Sequence, residues 1–273
     1  MNNQEKVTGR SLLRAATSVL LADRELLTLP IIGALATALA TAPVVLIYLF
    51  IPDSASAANW VAVALITLIA TFTTTLFAVA LADGANLRME GNDPTMRSSL
   101  ERAWARRTAI LQWSLIATAL GLLLRLIEQR FAFAGRLISA LGNLTWVIAS
   151  YFAIPVLAVE SGSGFDAVKR SATIIQQRWG KALRIGVRVA IIQLVLVFVV
   201  VAFVFTGVGM FESNPVLGVA LIAIGVLILL VGAFLISAIA SVARVALYRY
   251  ATGRSVPGFD EKSLESAVTR GKL

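Results

Sequence analysis

The sequence predicts an all-α membrane protein of six transmembrane helices, arranged as three hairpins, each preceded by a cytoplasmic interfacial amphipathic helix. Two observations carry this prediction. Six apolar stretches punctuate the chain, each about 20 residues or longer, the length that crosses a hydrocarbon core of about 30 Å. Of the 24 Lys and Arg residues, 21 fall in the N-terminal segment, the tail and every second connection, and three fall in the others. The composition agrees. Only 14% of the 273 residues are charged and 58% are hydrophobic, against roughly 25% charged in a soluble domain, so apolar surface must face something other than water. The runs are continuously apolar rather than alternating, which excludes a closed barrel.

The elements follow in order. Met1 to Lys6 is polar and leads into a basic amphipathic segment with no short apolar run and cleavage site, so no removable signal peptide is expected. Leu12, Leu13, Ala16, Val19, Leu20 and Leu27 share one face of this segment, with Arg10, Arg14, Arg24 and Glu25 opposite. That is the pattern of a helix lying in the interface plane. Spans 28–51 and 58–82 follow, joined by 52–57. In the first span Gly33, Thr37 and Thr41 recur every fourth residue and let a neighbouring backbone approach. Pro43 removes a helix hydrogen bond and should bend it.

The second amphipathic segment sets Met96, Leu100, Ala103 and Trp104 at helical spacing, with Arg97, Glu101, Arg102 and Arg106 elsewhere. Asp93-Pro94 offers an N-cap followed by proline at the first helical position. Spans 108–128 and 137–160 are joined by 129–136, and Pro155 should bend the second of them. The third amphipathic segment aligns Phe165, Val168, Ala172, Ile175 and Trp179 opposite Lys169, Arg170 and Gln177. Ser163 and Asp166 have the capping-box spacing at its start. Spans 185–209 and 216–243 close the membrane domain, residues 1–251, with Gly218, Gly225 and Gly232 repeating every seventh position of the last span. Ser255 to Asp260 is turn-like, and 252–273 reads as a polar cytoplasmic tail, mobile or bound to a partner. Leu13-Arg14-Ala15, Glu101-Arg102-Ala103 and Lys169-Arg170-Ser171 recur at comparable places, as expected of three copies of one unit.

Positively charged loops stay cytoplasmic, so both termini are expected inside. The formal net charge of +9 then needs no nucleic-acid partner. Basic side chains at that face attract anionic lipid headgroups, at about 1 kcal/mol each near the surface, and no stacking aromatics interleave with them as a single-strand platform would require.

The chain has no cysteine and no histidine, which removes thiol chemistry, the commonest general base and the commonest metal ligand. No catalytic, metal-binding or cofactor-binding residues emerge, and no cofactor is expected. Charged groups near the bilayer sit at its edges: Arg125 toward the outer side, Arg188 and Glu160 near the cytoplasmic boundary. No acid sits at a span centre, which argues against a proton-coupled carrier. Among uncharged polar groups, Thr71, Thr75, Asn143 and Gln193 are the candidates to line a solvent path. The alternative is that they bond within or between helices.

Tyr151 to Glu160, running into Asp166-Ala167-Val168-Lys169-Arg170-Ser171 and then Arg178-Trp179-Gly180, forms the most distinctive motif. Upstream lie Leu87 to Thr95 and Leu111-Gln112-Trp113. Together these resemble an uncharacterised family of prokaryotic six-span integral membrane proteins, over about residues 20–250. More distantly, the apolar-Pro-apolar-Glu and Arg-Ser elements resemble the membrane domain fused to some glycerophosphodiester phosphodiesterases. The family resemblance implies an integral membrane fold, a prokaryotic plasma membrane location and no activity to carry over. Its structural motif residues here are Pro155, Glu160, Asp166, Lys169, Arg170, Ser171, Trp179 and Gly180. Lys181 departs from the acid expected after Trp-Gly. The distant relative's catalytic carboxylates and metal ligands have no counterpart in this chain.

The function most consistent with these residues is a non-catalytic accessory or scaffolding subunit of a larger membrane complex, or a lipid-interacting organiser. In it Glu160 would pair with Arg170 or Lys169 and hold the third interfacial helix against span four. A small-molecule or lipid permease is the alternative. Third is an enzyme acting on a lipid headgroup with Glu90, Asp93 and Glu160.

Overall fold

The computed structural model describes residues 15–20, 24–52, 55–178, 183–211, 213–259 and 264. Every regular element among them is helical. Residues 15–20 form a short helical piece (α1). It is followed by α2 (Arg24–Tyr48), α3 (Ser56–Met89), α4 (Met96–Ala105), α5 (Arg107–Arg130) and α6 (Ala132–Ala149). Then come α7 (Ala153–Val159), α8 (Gly164–Arg178), α9 (Leu183–Gly209) and α10 (Pro215–Ala251). Five stretches among the described residues are long and apolar enough to cross a membrane: Glu25–Tyr48, Ser56–Met89, Arg107–Arg130, Ala134–Val159 and Pro215–Ala251. The chain is a multi-span α-helical membrane protein.

Sequential long helices pack on one another: α2 on α3, α5 on α6, and α9 on α10. The small residues make these contacts close. A Cβ on Gly33 would stand 2.8 Å from the Phe77 side chain of α3. The three glycines of α10 all face α9, where a Cβ would meet the Gly207 carbonyl (from Gly218), Phe203 (from Gly225) and Leu196 (from Gly232) at 2.7–2.9 Å. Between α5 and α6, Trp113 and Trp146 stack with centroids 5.2 Å apart, and the Ser139 hydroxyl donates to the Leu124 carbonyl at 2.7 Å.

Two helices are much longer than a bilayer requires. The 34 residues of α3 and the 37 of α10 extend about 50 and 55 Å at 1.5 Å per residue, against a hydrocarbon core of about 30 Å. The surplus is where the protein buries itself. Residues 79–86 of α3 are buried without interruption, and so are 245–249 of α10. Around these segments gather Leu26 and Leu29 of α2, Ala103 of α4, Ile110 and Trp113 of α5, Phe152, most of α7, and Ala167 and Ile174 of α8. Ala16 and Leu20 of α1 join the same cluster, as do Phe259 and Leu264 beyond α10. The core therefore lies at one end of the molecule, formed by the C-terminal ends of α3 and α10 and the three amphipathic segments. Away from it the helices present bare apolar side chains, Leu39, Phe198, Phe205, Val216 and Leu227 among them, each more than half exposed. Exposed apolar surface on that scale needs lipid or protein to cover it.

Local starts and stops differ from the sequence reading in two places. The second amphipathic helix begins at Met96 with Thr95 as its cap. The Thr95 and Ser98 side chains each accept from the other's backbone amide at 3.1 Å. Asp93 instead pairs with Arg88, and Pro94 is buried in the approach to the helix. Span four breaks cleanly between α6 and α7, at 150–152. Pro155 can donate nothing to the carbonyl four residues back, and that carbonyl lies in this break. By contrast α2 runs on through both Pro30 and Pro43.

The structure adds which face of α8 packs on protein. The buried positions are Gly164, Ala167, Ser171 and Ile174, about one residue around the helix from the apolar row Phe165, Val168, Ala172 and Ile175, of which Val168 and Ile175 pack partly against the core. Phe165 is 55% exposed. A Cβ on Gly164 would lie 2.3 Å from the Trp113 amide nitrogen and 2.5 Å from the Ala109 carbonyl. Small residues seat α8 on α5, and the large aromatic turns outward. In a bilayer, where lipid tails are as apolar as leucine, close packing rather than hydrophobicity selects the inward face.

Candidate functional site

Polar side chains concentrate where the apolar core lies, and they join elements far apart in sequence. Asp83, Asn86 and Glu90 stand at i, i+3 and i+7 near the end of α3, one stripe of one helix. Asp83 Oδ2 accepts from Arg102 Nε of α4 at 2.6 Å, and its side chain is only 9% exposed. The same guanidinium reaches the Ser99 hydroxyl at 3.3 Å and the Ser98 hydroxyl at 3.4 Å. One turn on, Arg249 of α10 donates to Asn86 Oδ1 at 2.6 Å and to Glu90 Oε1 at 2.8 Å. Asn86 Nδ2 also donates to Glu90 Oε1, at 3.1 Å. The other edge of the Arg249 guanidinium donates from Nε to the Ser255 carbonyl at 2.9 Å, so residues beyond α10 fold back onto the helix end.

A second knot forms at Glu160, the C-cap of α7. Its Oε1 accepts from Arg170 Nε of α8 at 3.1 Å and from the Tyr248 hydroxyl of α10 at 2.6 Å. Arg106 donates to the Leu157 carbonyl at 2.7 Å, satisfying one of the acceptors left at the end of α7. Ser171, fully buried, accepts from the Phe152 amide at 2.9 Å. That amide sits at the break in span four, and α8 supplies its partner.

The motif residues singled out in the sequence divide accordingly. Glu160, Arg170 and Ser171 meet at this knot, Pro155 is buried within α7, and Arg170, rather than Lys169, is the cation on Glu160. Lys169 places its Nζ 4.6 Å over the Phe165 ring on the exposed side of α8. Asp166 caps the helix: Oδ2 accepts from the Ser163 hydroxyl at 2.6 Å and from the Ser163 amide at 3.0 Å, and the Asp166 amide donates back to Ser163 Oγ at 3.1 Å. The hydroxyl, then the amide, hold the Asp166 carboxyl below the usual carboxylate range. Trp179 and Gly180 lie outside the described residues.

The path-lining candidates lie on three helices. Thr71 is half-buried and Thr75 buried, both on α3, while Asn143 is exposed on α6. Gln193 is on α9, with its side chain outside the described residues. The hydroxyls of Thr74 and Thr145 return to carbonyls one turn back, at 2.7 and 2.9 Å. Asp83, Asn86, Tyr248 and Arg249 were not singled out from the sequence. The available signal was the polar stripe of period 3.6 at the end of a long apolar run, matched by Arg102 and Arg106 four residues apart.

Chemically, this constellation neutralises charge. Asp83, Glu90 and Glu160 each carry an arginine from another helix. Asp93 carries Arg88. Among the described residues no group of acids is placed to hold a metal ion. A family model covers residues 57–258, about three quarters of the chain, from early in α3 to beyond α10, and so takes in both knots. The chain belongs to DUF6159, a family of unknown function. No curated protein and no solved structure matches it. Within this DUF6159 chain, both knots tie an amphipathic helix to the C-terminal end of the apolar helix before it: Arg102 to Asp83, and Arg170 to Glu160.

Proposed function

We propose that this DUF6159 protein is a six-span, non-catalytic scaffolding or accessory subunit of a plasma-membrane complex in a prokaryote, with both termini cytoplasmic. The observation that carries the reading is the neutralisation of three acids at the buried end. Asp83, Glu90 and Glu160 at the buried end are each held by an arginine from another element, and the result is a platform rather than a reactive site. Broken pairs of this kind are strongly destabilising, so the arginines serve to fix the amphipathic segments in place.

The equivalence of Arg102–Asp83 and Arg170–Glu160 supports an internal repeat of interfacial helix and hairpin. By this reading α9, a helix of 27 residues, is the fifth span and pairs with α10 through the glycine seam. Basic residues on the platform would rest against anionic headgroups. Trp104 and Phe165, each more than half exposed beside a cation, would anchor it at that depth. Threonines that bond back to their own helix support structural polar groups over a solvent path.

Tagged purification from native membranes in mild detergent, with cross-linking and mass analysis, tests this. The expected result is a protein partner retained at fixed stoichiometry through successive steps and cross-linked to the amphipathic segments. A clean monomer or homo-oligomer carrying a specific metabolite would overturn it.

A further inference from the structure

A cavity of about 250 Å³ lies between α2, α3, α7 and α10. One of its walls is a stripe along α10. Phe234, Ser237, Ser241 and Arg244 are spaced three, four and three residues apart and line the same space. Phe77 and Thr74 of α3 line it as well.

Arg244 sets this cavity apart. At the same end Arg102, Arg170 and Arg249 each hold a carboxylate, and Arg106 bonds to backbone carbonyls. Arg244 is half-buried, its guanidinium stands 5.1 Å over the Tyr151 ring and bonds to that side chain, and its Nε remains buried with no hydrogen-bond acceptor. Among the described residues no carboxylate pairs with it. A buried charged donor without an acceptor is costly, and an anion entering beside it relieves that cost.

The depth of the site identifies the anion. Arg244 lies about seven residues before the end of α10 at Ala251, or roughly 10 Å along the axis. It stands next to the predicted membrane boundary at residue 243, the level of lipid phosphates. From there the α10 stripe passes Ser241 and Ser237 and ends at Phe234, about 15 Å deeper, among acyl chains. The cavity is smaller than the roughly 300–1,000 Å³ of a site that encloses a whole small molecule. It suits a phosphate and its glycerol with the chains left outside. Hydroxyls of Ser237 and Ser241 add donors to a site that otherwise has one charge.

We propose that this cavity binds the phosphate headgroup of an anionic phospholipid, with Arg244 as its charge partner. The site is independent of whether the chain is a scaffold.

The test is native mass spectrometry of the full chain in mild detergent, titrated with phosphatidylglycerol. Phosphatidylcholine, oleate and inorganic phosphate serve as separate arms. Phosphatidylglycerol should be retained in preference to all three. Arg244→Gln should lower its retention roughly tenfold, the scale of one charge-assisted contact, and Arg244→Lys should restore part of it. Ser241→Leu, which fills the cavity and keeps the charge, should lower retention as well, and Arg97→Gln on the exposed face of α4 should not. Unchanged retention in both cavity variants overturns the proposal. So does equal binding of phosphatidylcholine, or binding of oleate or inorganic phosphate that matches phosphatidylglycerol and depends on Arg244. Should Arg244→Gln fail to fold, Ser241→Leu decides alone.

Discussion

The Tyr248 hydroxyl donates to Glu160 across 2.6 Å, joining residues 88 positions apart at the meeting of α10, α7 and α8. Tyr248 is fully buried, so its hydroxyl depends on that carboxylate for a partner. Removing the hydroxyl leaves the ring packing unchanged and isolates the bond. Tyr248→Phe should lower stability by about 2 kcal/mol, the scale of a hydrogen bond to a charged group, read as a lower midpoint of thermal unfolding in detergent. A midpoint equal to that of the native chain would mean that Glu160 is satisfied by Arg170 alone.

Arg249 offers a sharper contrast. Its side chain is 5% exposed and serves Asn86, Glu90 and the Ser255 carbonyl together. Arg249→Gln should cost about 3 kcal/mol, because Glu90 and Asn86 lose their common donor. Arg97 and Glu101 of α4 make an ion pair of comparable length, 2.9 Å, but their side chains are 88% and 64% exposed. Arg97→Gln should cost under about 1 kcal/mol. Equal losses in the two variants would mean that burial does not set the strength of these pairs.

Glycines that resemble one another in sequence should respond oppositely to alanine. At Gly164 the added methyl would fall 2.3 Å from a backbone nitrogen and 2.5 Å from a backbone oxygen. Gly164→Ala must therefore push α8 off α5, at about 2–3 kcal/mol. At Gly121 nothing lies within 4 Å, and alanine should be neutral or stabilising by up to about 1 kcal/mol. Thermal unfolding of the two variants side by side checks the assignment of the inward face of α8.

Acid should loosen the start of α8 through Asp166. Its carboxyl is held below its ordinary value of 3.8 by the Ser163 hydroxyl and amide, with Lys169 a smaller influence. A depressed carboxylate contributes stability that is present above the unfolded value and is lost as pH falls through the folded one. Hydrogen exchange of the Ser163 and Asp166 amides should therefore accelerate only below about pH 4, after correction for intrinsic rates. In Asp166→Asn that pH dependence should disappear. An unchanged profile in the variant would assign the acid response to another group.

The absence of cysteine makes single introduced thiols unique reporters of sidedness. Ser56, Ser161, Ser213 and Ser255 are all exposed. With both termini cytoplasmic, an impermeant maleimide should label Ser56→Cys and Ser213→Cys in intact cells. Ser161→Cys and Ser255→Cys should label only after permeabilisation. The reverse pattern would invert the orientation read from the basic residues.

Much of the secondary structure was legible because its signals are local. The Ser163–Asp166 capping box is a relation between residues three apart, and the long helices follow from apolar length. The break in span four lies where Pro155 can donate no bond. The cap at Thr95 was missed because Asp93-Pro94 has the same local chemistry, and Asp93 is taken up by Arg88 instead. The face of α8 that packs on protein was not legible, because an apolar residue beside lipid and one beside protein look alike in sequence.

By itself, then, the sequence determined that this protein is helical, that it crosses a membrane, and where most of its helices begin. Each of these depends on residues within a few turns of one another. Only the tertiary structure decided where the protein is solid. Burial gathers at one end, around residues 79–86 and 245–249, although the rest of those helices is just as apolar. It also decided the pairing of charges, since Arg249 and Glu90 are 159 positions apart and Arg102 and Asp83 only 19. Charge can be counted along a chain, but a salt bridge is chosen by which helix ends meet, and in a bilayer that meeting is set by shape.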